Sequence, residues 1–191
     1  TILRRQRQMC IRDSINSSDD VSENILAALE TEGISMDNNL VFIRGDLRKQ
    51  KIIEEIFLKS IKNKDNIESV IHFAGLKAVG ESIEFPLKYW EHNVSGTINL
   101  LKVMDKFGCR NIIFSSSATI YASNGKKPLD EKTSIGPINT YGNTKATIER
   151  ILNDLFKSPL NKWKIANLRY FNPLGAHPVS YTHLRAHETQ Y

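Results

Sequence analysis

Cysteine is scarce in this chain, and long apolar runs, internal repeats and low-complexity segments are missing. Among 191 residues there are two cysteines, Cys10 and Cys109, and neither stands in a C-x-x-C pair. That excludes a disulfide scaffold and a structural zinc site, and Cys109 reads as a small buried residue near a helix end. No stretch approaches the roughly 20 apolar residues that a helix needs to cross a bilayer, so no membrane partner is expected. Basic charge is also scarcer than it looks. The net charge is +5 and the pI about 9.2, but Arg4, Arg5, Arg7 and Arg12 crowd the first twelve residues without an acid. Between residues 13 and 178 the chain holds 21 basic and 20 acidic groups. No basic stripe interleaved with aromatics runs through it, which argues against nucleic acid as a partner.

What is present fits a folded α/β domain. Apolar residues make up 40% and charged residues 25%, the balance of an ordinary globular protein, and the length suits one domain or most of one. Residues 1–12 and 179–191 show no helical or strand period. They read as adapter-like, non-native segments, which leaves 13–178 as the domain. Across that span, short apolar strands alternate with helical stripes. Val21, Ile25, Ala28 and Leu29 mark a helix that Gly33 stops. Strands are predicted at Leu40 to Ile43, Val70 to Ala74, Asn111 to Ser116 and Lys164 to Tyr170. Helices are predicted at Ile52 to Ile61, Val94 to Phe107 and Tyr141 to about Phe156. Such alternation implies crossover units and a parallel sheet with helices on both faces.

In sheets of this kind ligands bind beyond the carboxyl ends of the strands. Here those ends carry small or hydrogen-bonding residues: Gly45-Asp46, Phe73-Ala74-Gly75 followed by Lys77, Ser115-Ser116-Ser117, and Tyr170-Phe171-Asn172. One shared crevice is the expectation. Tyr141 and Lys145 open the last helix four residues apart and so share a helix face. A free tyrosine, with a pKa of about 10, is a poor base at neutral pH. A nearby ammonium favours the phenolate, and the pair could then take a proton from a sugar hydroxyl. Ser117, at a neighbouring strand end, is placed to hold the reacting oxygen.

Other residues have plainer readings. His72 is expected to be packed and hydrogen-bonded. His92 and His177 lack a carboxylate partner pattern, and the spacing of His183 and His187 reads as chance, so no metal is expected. Tyr89, Trp90 and Trp163 read as packing groups. The glycosylation sequons at Asn16 and Asn93 come without a secretory signal and also read as chance.

HFAGLKAVGES (residues 72–82), FSSSATIY (114–121), YGNTK (141–145) and LRYFNPLGAHP (168–178) together resemble the UDP-glucose 4-epimerase family of the extended short-chain dehydrogenase/reductase superfamily. The resemblance covers residues 38–178. It implies a Rossmann-like doubly wound parallel sheet, tightly bound NAD, and interconversion of UDP-galactose and UDP-glucose through a 4-keto sugar. It implies that Tyr141 is the general base and acid, that Lys145 holds the nicotinamide ribose, and that Ser117 bonds the sugar oxygen. Asp46 and Leu47 would lie beside the adenine, and Phe73, Ala74, Gly75 and Lys77 would line the dinucleotide. Asn93, Ser115 and Tyr170 would also meet the cofactor, while Lys77, Phe171 and Asn172 would meet the nucleotide sugar. A cytoplasmic enzyme of galactose metabolism, homodimeric when full-length, completes what the resemblance implies. N-acetylated and pentose sugars stay open as substrates. A related nucleotide-sugar dehydratase or decarboxylase, or a binding protein that kept the fold, stays open as an alternative. A dehydratase would usually carry an acid pair just after the serine strand, and Ala118 and Thr119 stand there.

The sequence also departs from the family pattern. The first strand with its G-x-x-G-x-x-G turn, which would cradle the pyrophosphate, is missing. Asp13 resembles the aspartate that binds the adenosine ribose but lies at the seam with the first segment. Ala122 follows Tyr121 where glycine is usual, and a turn with positive φ would suit it less. In the family's strand order, two strand places lie empty between the strands at Leu40 and Val70. The 191-residue chain is therefore expected to be a truncated piece, poorly folded, without NAD and inactive.

Overall fold

The computed structural model describes residues 8–10, 40–122, 128–160 and 162–171. The predicted helix at Val21 to Leu29, Asp13, Asn172 and the tail that carries His177, His183 and His187 lie outside them. The chain divides into two compact units, residues 1–44 with 172–191, and residues 45–171. Among the described residues, no helix is long and apolar enough to cross a membrane.

In the first unit, β1 (Gln8–Cys10) pairs in parallel with β2 (Leu40–Phe42), Met9 opposite Val41. β2 was expected; β1 lies in the segment whose sequence shows no helical or strand period. Three residues are too few to show a period of two, and the pairing is made by backbone groups rather than by a side-chain pattern.

The second unit holds α1 (Gln50–Lys62), β3 (Ser69–His72), α2 (Val79–Glu84), α3 (Pro86–Tyr89), a π-helical turn (Trp90–Ser95), α4 (Gly96–Lys106), β4 (Asn111–Ser117), a 3₁₀ turn (Ala118–Ile120), α5 (Thr140–Lys157) and β5 (Lys164–Tyr170). Each long helix follows its predicted stripe. α1 buries Ile53, Ile56 and Phe57, and Phe57 stacks on Phe107, ring centroids 5.4 Å apart. Gly108, at φ +74°, closes α4 in the left-handed conformation that glycine adopts without a Cβ penalty. α3 starts at Pro86, whose fixed φ and missing N–H suit a first helical position.

β3, β4 and β5 form a parallel sheet in that order, Ile112 opposite Val70 and Ile165, and Ser117 opposite Tyr170. The side chains of Val70, His72, Ile112, Phe114, Ser116 and Arg169 therefore share one face. α4 and α5 reach this face: Thr97 bonds His72, Lys145 lies over Phe114, and Glu149 pairs with Arg169. On the other face Ile71 is 46% exposed, Phe73 59%, Ile113 37% and Leu168 41%. Among the described residues the covering helices lie on the first face, and the helix predicted at Val21 to Leu29 lies outside those residues. A helical stripe in a sequence shows that a helix has something to bury, not which side of the sheet it returns on.

The predicted helix from Val94 to Phe107 also changes at its start. The π-helical turn precedes α4 and brings His92, Asn93, Gly96 and Thr97 inward together. Such wide turns often mark functional positions. Lys64 is the one non-glycine residue at positive φ among the described residues. Ala122 is not at positive φ, so alanine is not strained in the place where the family pattern has glycine. It donates its N–H to Ser134 O at 2.9 Å.

Candidate functional site

α5 begins at Asn139, whose side chain accepts the Gly142 N–H at 2.8 Å, an N-cap that satisfies a first-turn donor. Gly142 has to be glycine. A Cβ there would lie 2.6 Å from Thr119 O and 2.9 Å from Pro137. The bare backbone lets the first turn of α5 close against the turn that follows Ser117. Ser117 Oγ accepts from Thr119 N–H at 3.2 Å and from the Thr119 hydroxyl at 3.0 Å. With both acceptor positions used, its own proton is left to donate, and a hydrogen bond to Tyr141 works to lower that tyrosine's pKa. Ser117 and Tyr141 thus meet as the sequence suggests.

Lys145 meets them in a different way from the one expected. Its Nζ donates to Ser115 O at 2.8 Å and lies 4.8 Å from the Phe114 ring centre and 5.9 Å from that of Tyr141. Burial alone pushes the ammonium down to about 8. Tyr141 is half-buried, and that burial, outweighing the Ser117 bond, holds its pKa above the ordinary value. The expectation that the ammonium lowers it is corrected. The charge is held by a carbonyl and by ring faces, and desolvation of the phenolate is the larger effect.

Beneath the strand ends runs a buried polar chain. Thr97 donates its hydroxyl proton to Asn93 O, so His72 Nε2, 2.8 Å from that hydroxyl, must carry a proton and donate it. Burial first, and the Lys145 charge second, push His72 down to about 3. The histidine is neutral, packed and hydrogen-bonded, as read from the sequence. Asn93 Oδ1 accepts the Leu76 N–H at 2.8 Å, and Nδ2 donates to Leu76 O at 3.0 Å and to the Thr144 hydroxyl at 3.1 Å. The Asn93 side chain is therefore spent on the loop after β3. Gly75 in that loop sits at φ +148°, where a Cβ would come 3.1 Å from Asn93 Oδ1 and 3.8 Å from Lys145 Nζ.

The remaining expected residues divide. Phe73, Lys77, Tyr170 and Phe171 are exposed and Ala74 is half-buried at the same ends of the strands. Ser115 has its carbonyl bound to Lys145, while its side chain lies on the sheet face opposite to Phe114, as do those of Ser117 and Tyr170. Leu47 is buried, with its Cβ where a side chain on Gly96 would collide. Asp46 is held by a two-pronged contact from Arg48, at 2.6 Å for Nη2 to Oδ2, which keeps its carboxyl below the usual range. The pair leaves that carboxylate committed within the chain. Asn172 is outside the described residues. Among the described residues no cluster of metal-ligating side chains occurs. A cleft of about 660 Å³ borders β5 and is lined by Tyr121, Leu129, Asp130, Glu131 and Asn167 to Phe171. A second, of about 460 Å³, lies at the far ends of β3 and β4 and contains none of the expected site residues.

One group of residues escaped sequence reasoning. Arg169 donates to both carboxylate oxygens of buried Glu149, the shortest contact 2.7 Å, and to the Tyr121 hydroxyl at 2.9 Å. It thereby ties β5, α5 and the chain beyond Ser117 together. Glu149 stands four residues after Lys145, so the same spacing that joined Tyr141 to Lys145 could have extended the face by one turn.

Over residues 14–188 the chain matches the NAD dependent epimerase/dehydratase family. It is 43% identical over 169 residues to UDP-glucose 4-epimerase 2 of Oryza sativa subsp. japonica, covering 88% of this chain and 39% of that protein. It is 49% identical over 144 residues to UDP-glucose 4-epimerase 2 of Arabidopsis thaliana, covering 75% and 39%. Among solved structures it is similar, with a TM-score of 0.74 and 39% identity, to the UDP-glucose 4-epimerase of Bifidobacterium longum in complex with NAD+ and UDP. That likeness covers 88% of this chain and 47% of the other. The chain spans less than half the length of these relatives.

Proposed function

Because the chain belongs to the NAD dependent epimerase/dehydratase family, we propose that it carries the proton-transfer site of a UDP-glucose 4-epimerase, which interconverts UDP-galactose and UDP-glucose with bound NAD. The observation that carries this reading is the meeting of Ser117 with Tyr141, above a buried Lys145, at the carboxyl end of the sheet.

The residues fit such a cofactor. Gly75 presents bare backbone within reach of Lys145, and an ammonium beside two hydroxyls is a donor set suited to a ribose diol. Lys145, Tyr141 and the loop from Phe73 to Lys77 would hold it, with Ser115 and Tyr170 on the sheet beside them and Asp46 and Leu47 towards the adenine. Asn93 serves that site through its grip on Leu76. NAD, when bound, supplies the acceptor that takes a hydride from the sugar and returns it.

The chain's own part is the proton. Ser117 donates a hydrogen bond to the sugar oxygen and fixes it beside Tyr141. Tyr141 accepts the proton from that hydroxyl and later gives it back, acting as base and then as acid. Its raised pKa keeps the hydroxyl protonated, the form needed for the return step, so before the forward step that proton must leave to solvent. Lys145, still mostly cationic at neutral pH with a pKa of about 8, supplies the positive field that favours the phenolate in the forward step. Lys77 and Phe171, together with Asn172, are assigned to the nucleotide sugar. A cytoplasmic setting, a place in galactose metabolism and a homodimer of the intact protein belong to the same proposal and rest on the resemblance.

The test is turnover of UDP-galactose by the intact protein. Y141F is expected to slow it at least about 100-fold, the scale of a lost general base. Activity within about twofold of the unsubstituted protein would remove Tyr141 from the mechanism.

A further inference from the structure

Ser82 closes the HFAGLKAVGES segment, and none of the roles above uses it. It is fully buried, on a helix that contributes no other group to the site. Its hydroxyl donates to Val79 O at 2.6 Å and accepts the main-chain N–H of Tyr141 at 3.2 Å. That N–H lies in the first turn of α5, where the helix itself offers no acceptor. The neighbouring donor, Gly142 N–H, is taken by Asn139, so the two caps divide the work and the one from outside the helix falls on the tyrosine.

The carbonyl of Tyr141 is tied back to the same segment. It accepts the Thr144 hydroxyl at 2.7 Å, which in turn accepts from Asn93, and Asn93 grips both backbone groups of Leu76. The start of α2 is itself fixed, since the Tyr89 hydroxyl lies 2.7 Å from Ala78 O and 2.8 Å from the Glu81 carboxylate. Both polar groups of the Tyr141 peptide backbone therefore lead to residues 76–82, the stretch that begins in the loop assigned to the dinucleotide.

We propose that Ser82 is a positioning residue for Tyr141, holding its main chain so that the hydroxyl stays at Ser117, and linking its place to the loop after β3. The inference rests on the proposed epimerase reading for its kinetic consequence but not for its geometry. A hydroxyl that fixes the backbone of the proton-transferring residue acts on the chemical step, because misplacement of about 1 Å can cost as much as 100-fold in rate. It does not touch the nucleotide sugar, so binding should be spared.

Two measurements test it. In the unsubstituted protein, hydrogen exchange should find the Tyr141 amide protected although it lies in a first helical turn; exchange at the rate of a free amide overturns the proposal, whether or not any variant folds. In the intact protein, S82A should lower kcat at least about 10-fold while KM for UDP-galactose changes by less than about twofold. An unchanged kcat, or a loss carried by KM, overturns it. Absence of turnover in the unsubstituted protein would instead count against the epimerase reading, and the amide protection would still decide the role of Ser82.

Discussion

The two faces of the three-stranded sheet differ in what covers them. Below it, Phe114 is fully buried and Lys145, Glu149 and Thr97 close over the strands through hydrogen bonds to Ser115 O, Arg169 and His72. Above it, Ile71, Phe73, Ile113 and Leu168 are apolar and exposed. Exposed apolar surface of this kind marks a place where something else packs. The face that is covered is also the face that sets the geometry of the proposed site, since α5 brings Tyr141 and Lys145 to the strand ends from that side. Ser117 and Tyr170 stand on the other, at the point where the sheet ends. Among the described residues the site is thus built by packing on one side and left open on the other.

The sharpest way to break the contrast is to cut a matched pair. F114A empties a buried site and removes the ring under Lys145, and should cost about 3–5 kcal/mol in chemical denaturation. E149A comes next. It leaves Arg169 without its buried partner, for a loss of about 3 kcal/mol, reduced to the extent that Arg169 reaches solvent. His72 gives a smaller, pH-dependent effect. Its folded pKa lies below the unfolded value of 6.5, so between about 6.5 and 3 the unfolded chain binds a proton that the folded one refuses. Stability should fall as pH falls through that window, and H72Q should flatten the dependence relative to the unsubstituted chain. The smallest effect belongs to the open face, where F73A should change stability by no more than about 0.5 kcal/mol. Equal costs for F114A and F73A would erase the distinction between the faces.

Much of this was legible in the residues. β5 runs from Lys164 to Tyr170 as predicted, and α5 covers the predicted stripe, because each is long enough for its period to repeat. The pair Tyr141 and Lys145 was legible for the same reason, as one helical turn. What escaped was held by contacts between distant positions. Ser82 meets Tyr141 across 59 residues and Asn93 meets Thr144 across 51, and no local pattern reports such a bond. α2 and α3, of six and four residues, are too short to show a stripe. The reversed electrostatics of Tyr141 came from burial, and a spacing of four does not say how deeply either partner is buried.

The central claim is that packing beneath the sheet holds Tyr141 in a partly desolvated position against Ser117. The most direct measurement is a pH titration of the chain carrying ¹³Cζ-labelled tyrosine, with Y141F to assign the resonance. The account predicts that Tyr141 titrates above the ordinary value of about 10, and higher again in S117A, where the bond that lowers it is gone. A midpoint at or below that of free tyrosine, unmoved by S117A, would contradict it.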